Sequence, residues 1–139
     1  MSPNDPFDHD GVNALVQADI PMAGGTGKVV MQAGRNGFFY VLERATGKLI
    51  AANNYVKVTW ASGIDLETGR PVWTEPTKQI INGPAKITTY PNISGGSNWF
   101  PMSYSPLTGF AYVNTIAIGM TYEPEPIETI KNLKPGQPH

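Results

Sequence analysis

Glu43-Arg44-Ala45-Thr46-Gly47-Lys48-Leu49-Ile50 is echoed later in the chain by Asp65-Leu66-Glu67-Thr68-Gly69-Arg70-Pro71-Val72-Trp73. A looser third copy is Ser105-Pro106-Leu107-Thr108-Gly109-Phe110-Ala111-Tyr112-Val113. Each copy sets a Thr-Gly pair between two strand-like runs, where glycine can take the positive φ of a tight hairpin. The pairs start at positions 46, 68 and 108, so the gaps are 22 and 40 residues. A four-stranded propeller blade repeats at about 40 to 50 residues. The 139 residues therefore read as an all-β chain, a partial β-propeller of about two to three four-stranded blades, some of them incomplete.

The flanking sequence agrees. Fifteen Gly and thirteen Pro make about one residue in five, which favours short strands and turns over long helices. Val12 to Ala18 alternates apolar and polar residues like a strand, Ile20 to Gly27 is a turn-rich connection, and Lys28 to Ala33 is a second strand. Gly37-Phe38-Phe39-Tyr40-Val41-Leu42 is a third, separated from the second by Gly34-Arg35-Asn36-Gly37, whose Asn-Gly ending is a strong hairpin signal. Because Phe38 to Leu42 is apolar on both faces, that strand is expected to be covered on both sides. No helix of ordinary length is expected. Asp10 to Ile20 is the best helical alternative, weakened by Gly11, Val12 and Val16. Residues 123–139 carry four prolines and read as an irregular connection to a missing blade, with one helical turn around Ile127 to Leu133. Residues 1–122 are the propeller part.

Composition excludes several functions. Ten basic and eleven acidic residues leave a formal charge of -1, without the basic stripe of a nucleic-acid binder. There is no cysteine for a disulfide or thiolate site. No apolar run reaches the length of a transmembrane segment, and Met1-Ser2-Pro3-Asn4-Asp5-Pro6 is not a signal peptide. Gly24-Gly25-Thr26-Gly27-Lys28 lacks the spacing and following helix of a phosphate loop. His9 and His139 do not make a zinc site, and Gly-x-Ser-x-Gly is absent.

The chemistry-bearing stretch is Asp5-Pro6-Phe7-Asp8-His9-Asp10-Gly11-Val12-Asn13, with three carboxylates in six residues. Asp8 and Asp10 are two apart, so on an extended backbone their side chains point the same way. Like charges held that close favour a cation between them or a proton on one. Oxygen-only ligands suit a hard cation such as calcium or a lanthanide. The alternative is a turn in which Asp serves local backbone hydrogen bonds. Spacing alone leaves both open.

This stretch resembles the "D-x-W-D-Y-x-G-V-N" segment of the pyrroloquinoline-quinone (PQQ) dependent, or quinoprotein, methanol and ethanol dehydrogenases. Gly34 to Leu42 is similar to their "D-R-N-G-F-F-Y-V-L" strand pair. Gly95-Gly96-Ser97-Asn98-Trp99-Phe100-Pro101-Met102-Ser103-Tyr104-Ser105-Pro106 resembles "G-G-x-N-W-x-P-M-A-Y-S-P" of the alcohol dehydrogenase branch. The resemblance runs in the family's order to about Tyr122. It implies an eight-bladed propeller with PQQ and metal on its axis, oxidising a primary alcohol to an aldehyde and passing electrons to a cytochrome c in the periplasm. By this resemblance Asp8 is the catalytic base taking the alcohol hydroxyl proton. Asp8 and Asp10 are metal ligands, and Asp10 matches the extra aspartate of lanthanide enzymes, favouring a lanthanide(III) over Ca2+. Arg35 contacts the quinone carbonyl end of PQQ, Asn98 contacts the cofactor, and Trp99 lies beside it. His9 departs from the family's Tyr or Phe, Phe7 from its Trp, and Glu43 from the Asp of the Thr-Gly turn.

The family's upstream metal ligands, its vicinal disulfide, the tryptophan beneath the cofactor and its later blades have no counterpart in these residues. The expectation is an interior segment that binds PQQ only weakly and has no alcohol dehydrogenase activity without the remaining propeller blades. The competing reading is a noncatalytic β-propeller scaffold for protein binding. Such a scaffold needs the turns and strands, but has no use for Asp8, Asp10, Arg35 and Asn98 in register.

Overall fold

The computed structural model describes residues 2–126, 128, 131 and 132. Four strands form an antiparallel meander in the order β1 (Val16–Met22), β2 (Gly25–Ala33), β3 (Phe38–Glu43), β4 (Leu49–Asn54). This is one complete propeller-type blade. Two-stranded antiparallel pairs follow: β5 (Ala61–Ile64) with β6 (Pro71–Trp73), and β8 (Ser103–Ser105) with β9 (Phe110–Tyr112). Between them α1 (Glu75–Asn82) leads to β7 (Ile87–Thr89), which pairs with β10 (Met120–Tyr122). The chain is thus a partial β-propeller. Among the described residues no helix is long and apolar enough to cross a membrane.

The three Thr-Gly turns are one device used three times. They join β3 to β4, β5 to β6 and β8 to β9, with Gly47, Gly69 and Gly109 at φ of 73°, 69° and 73°. In each, the glycine N–H donates to the carbonyl four residues back, on Glu43, Asp65 and Ser105. At the second turn the Asp65 carboxylate also accepts from the Thr68 N–H and hydroxyl and from the Glu67 N–H. Those Thr68 donors hold the Asp65 carboxyl below its ordinary range. Glu43, one methylene longer, keeps only the Thr46 hydroxyl contact among these bonds.

β3 has the two covered faces its sequence predicts. Phe38, Tyr40 and Leu42 pack with Phe7, Trp60, Ile64 and Ile87. Phe39 and Val41 face a second cluster of Ala18, Val29, Met31, Ala33 and Met102. β8 and β9 close over that second cluster through Tyr104 and Ala111.

Three expectations are corrected. The first strand runs over Val16–Met22, not Val12 to Ala18, and Val12 and Leu15 are exposed. The stretch read as a connection is itself a hairpin: Met22 pairs with Gly25, and Gly24 takes the positive φ. Pro21 is tolerated because β1 lies at the sheet edge. The helical alternative over residues 10–20 does not form, whereas the eight-residue α1, which was not expected, does. Its signals were a Thr N-cap, Pro in the first turn and Gly at the end. Thr74 does not cap the helix with its side chain. Its hydroxyl donates instead to the Thr59 carbonyl at 2.9 Å, tying the helix start to the chain entering β5. The helical turn expected around 127–133 lies outside the described residues except for 128, 131 and 132.

The Asp65 turn makes a pH prediction. Its folded-state carboxyl is more acidic than in the unfolded chain, so its stabilisation is present above the unfolded value of about 3.9 and lost as pH falls through the folded one. Asp65→Ala is expected to lower the urea midpoint at pH 7, and the gap from the parent chain should narrow at pH 3 and below. An equal gap at both pH values would show that the charge contributes nothing.

Candidate functional site

The segment from Asp5 to Asn13 is shaped by a local cap. The Asp5 carboxylate accepts from the Phe7 N–H at 2.8 Å and the His9 N–H at 2.7 Å, which wraps the chain around it. Phe7 is fully buried against Tyr122 and Trp60, with ring centroids 5.1 and 6.4 Å away. His9 is also buried, 6.1 Å from the Trp60 ring. These two anchors leave Asp8 and Asp10 on the exposed side. Asp8 has φ of 60°, so the backbone there is not the extended one expected from the sequence. Inward anchoring of alternate residues, not strand geometry, turns both carboxylates outward.

Arg35 occupies the β2–β3 turn opposite this segment. Its Nη1 donates to the Asp10 carbonyl at 2.6 Å and its Nη2 to the Ile93 carbonyl. Nη2 also lies 4.0 Å from Asp8 Oδ2. The guanidinium therefore bridges two loops distant in sequence. Asn13 makes a second bridge, donating to the Asn98 carbonyl at 3.2 Å, while Asn98 donates to the Ser94 carbonyl at 3.0 Å. Arg35 thus meets Asp8 and the Asp10 carbonyl, while Asn98, on a third segment, joins them only through Asn13. Trp99 follows them but is 81 % exposed, so it is not a core aromatic.

A cavity of about 530 Å³ opens between the Asp5 segment, the Arg35 turn and the β5–β6 turn. Asp10 and Arg35 line it, with Asp5, His9, Asn13 and Arg70; Asp8, Asn98 and Trp99 do not. Asp5, Asn13 and Arg70 had no predicted role. The spacing from Asp5 to the N–H groups of Phe7 and His9 carried a capping signal, but Arg70 enters from a separate hairpin and had none. Burial lowers the His9 pKa, partly opposed by the negative charge of Asp5 and by the Asn92 and Pro91 carbonyls.

The donor chemistry bears on what this region can hold. No hydrogen bond engages the Asp8 or Asp10 carboxylate oxygens among the described residues, so both remain available to a hard cation. No group of three or more His, Cys, Asp or Glu gathers there, again among the described residues. A calcium-like ion takes about six to eight oxygens, so this segment supplies only part of a coordination shell. Arg35 has five N–H groups, and two are spent on backbone carbonyls. Three N–H groups of Arg35 and two carboxylates are therefore what these residues can offer a ligand.

No family model matches the chain. The quinohemoprotein alcohol dehydrogenase ADH-IIG of Pseudomonas putida is 39 % identical over 123 residues, covering 88 % of this chain and 17 % of that protein. The lanthanide-dependent methanol dehydrogenase of Methylacidiphilum fumariolicum (strain SolV) is 41 % identical, covering 88 % and 20 %. A solved europium-containing methanol dehydrogenase superposes with a TM-score of 0.78 at 37 % identity, over 86 % of this chain and 20 % of that one. The chain belongs to the quinoprotein alcohol dehydrogenase family. It spans about a fifth or less of the length of these relatives, so it corresponds to a segment of a quinoprotein dehydrogenase.

Close approach makes Gly95 the sensitive point of this site. Gly95 has φ of 80°, and a Cβ there would lie 2.7 Å from the Arg35 Cβ and carbonyl oxygen. Gly95→Ala is expected to destabilise the chain by more than about 1 kcal/mol and to release the Arg35 turn. Hydrogen exchange at Gly96, whose N–H donates to the Arg35 carbonyl, would report the release. Unchanged protection would show that the two loops are not in this contact.

Proposed function

We propose that this chain supplies the catalytic base and one side of the PQQ and metal site of a quinoprotein alcohol dehydrogenase that oxidises primary alcohols to aldehydes. The observation that carries the reading is the convergence of Asp8, Asp10 and Arg35, with Asn98 bridged to them through Asn13. Four separate structural uses for these residues would not require them to meet.

Asp8 is the base. Its carboxylate is exposed and 4.0 Å from the Arg35 guanidinium, open to a substrate hydroxyl whose proton a carboxylate can accept. Asp8 and Asp10 are the metal ligands. A second carboxylate adds the negative charge that suits a trivalent lanthanide over Ca2+, and a lanthanide-dependent methanol dehydrogenase is among the relatives. Arg35, clamped on two carbonyls, would hold the quinone end of PQQ and supply a fixed positive charge there. Asn98 and Trp99 flank the cofactor side. PQQ, when bound, supplies the two-electron acceptor that the protein side chains lack.

The acceptor of those electrons is a cytochrome c, in keeping with the related 1-butanol dehydrogenase (cytochrome c) of Thauera butanivorans, and the parent enzyme works in the periplasm. Residues 1–122 are the propeller part and 123–139 the connection to the next blade.

Two measurements test the reading. The 139-residue chain, mixed with PQQ and either calcium or lanthanum, is expected to show no dye-linked alcohol oxidation. Placing residues 5–122 in the matching segment of the M. fumariolicum methanol dehydrogenase should retain lanthanide-supported turnover. In that chimera Asp8→Asn should reduce kcat by about 10²- to 10⁴-fold, and Asp10→Ala should abolish activation by lanthanum. Full activity of either variant would overturn that residue's assignment.

A further inference from the structure

Asn-Gly occurs twice in the chain, at Asn36-Gly37 and at Asn82-Gly83, and the fold treats the two pairs in opposite ways. The first pair lies in the turn between β2 and β3. Asn36 is buried. Its Nδ2 donates to the Tyr40 hydroxyl at 2.7 Å and to the Ser2 hydroxyl at 3.1 Å, and its Oδ1 accepts from the Phe38 N–H at 3.2 Å. The Gly37 N–H is taken as well, by the Gly34 carbonyl at 3.0 Å. Side-chain amide and following backbone nitrogen are both held.

The second pair closes α1. Asn82 is the last residue of the helix, exposed, and its side chain has no hydrogen-bond partner among the described residues. No turn or cap bond takes the Gly83 N–H, again among the described residues. The last carbonyls of a helix have no intrahelical partner, so turning ψ of Asn82 breaks no helical hydrogen bond. Gly83 is extended, with φ of −174° and ψ of −178°, and has no Cβ to shield its nitrogen. That nitrogen is free to swing against the Asn82 side-chain carbonyl.

The two groups react with each other, and asparagine is labile for this reason. The Gly83 nitrogen gives its proton to water and bonds to Asn82 Cγ, and the side-chain nitrogen leaves as ammonia. Water then opens the resulting succinimide at one carbonyl or the other, giving aspartate or isoaspartate. Nothing is oxidised or reduced, and the co-reactant is water. We propose that Asn82 is a site of spontaneous deamidation and that the fold protects Asn36 from the same reaction. The inference is independent of the proposed function, since it needs neither PQQ nor metal. Either product places a carboxylate at the C-terminal end of α1, where the helix carbonyls already point and where the last turn has no basic residue. Conversion therefore weakens the helix that leads to β7.

The test incubates the 139-residue chain in mildly alkaline buffer, digests it at acid pH and follows both asparagines by peptide mass spectrometry. Asn82 should be lost roughly tenfold or more faster than Asn36, which reacts only from locally opened molecules. In urea the two should convert at similar rates, because each is followed by glycine. In Gly83→Ala the added Cβ meets the Gln79 carbonyl at 3.7 Å, an ordinary contact, and should slow the loss of Asn82 in buffer and in urea alike. Asn82→Asp, which carries the charge of the product, should lower the urea midpoint. Equal loss of the two asparagines in buffer would show that the fold protects neither. An Asn82 that stays intact in buffer and converts in urea would show that α1 shields it. An unchanged rate in Gly83→Ala would remove the Gly83 nitrogen as the attacking group, and an unchanged midpoint in Asn82→Asp would remove the effect on α1. Each of these overturns the proposal as stated.

Discussion

The turn from Gly34 to Gly37 is the constraint on which the rest of the structure depends. All four of its carbonyls are claimed from different directions. Gly34 O accepts from the Gly37 N–H at 3.0 Å and the Tyr55 hydroxyl at 2.8 Å. Arg35 O accepts from the Gly96 N–H at 2.8 Å, Asn36 O from the Trp60 indole at 2.9 Å, and Gly37 O from the Tyr55 N–H at 3.0 Å. Buried backbone groups are costly to leave unpaired, so this turn cannot move without releasing the chain after β4, the entry to β5 and the Gly95 loop together. Arg35 rides on it and holds its place because its backbone does.

That arrangement explains how a site can be assembled in an arc with little regular structure around it. The segments that meet at Arg35 are loops, and loops place side chains accurately only where a scaffold holds their ends. Here the blade β1–β4 holds the turn, Phe7 and Trp60 hold the Asp5 segment, and the Asn92 to Asn98 loop is pinned through Arg35 and Asn13. Substituting Glu for Asp in the first Thr-Gly turn shows the same economy of length. One added methylene leaves the Thr hydroxyl bond intact but moves the carboxylate off the backbone N–H groups that Asp65 engages.

Much of this was legible from residue order. The repeated Thr-Gly pairs announced hairpins because only a residue without Cβ enters those dihedrals cheaply, and the double apolar face of Phe38 to Leu42 announced a strand between two layers. Less legible were α1, whose short amphipathic run was outweighed by the surrounding Gly and Pro, and the true limits of β1, where a hairpin tip at Ala23-Gly24 passed for a loop. The role of Asp5 was hidden among three similar carboxylates. Two of them stay free on the exposed side, and one is consumed by the backbone.

The sequence by itself determined the fold class, the family, and which residues carry charge and hydrogen-bonding capacity, because these depend on side-chain type and on spacing within a few residues. Only the tertiary structure decided that Asp8 and Asp10 stay exposed because Phe7 and His9 on either side of Asp8 are buried. It alone brought Arg35 to the carbonyls of Asp10 and Ile93, and Arg70 to the cavity that His9 lines. Those contacts join positions up to 115 residues apart, and no local pattern encodes a pairing across that distance. The pairing arises when the two faces of β3 are buried and the turn beyond it is left with carbonyls that only distant loops can satisfy.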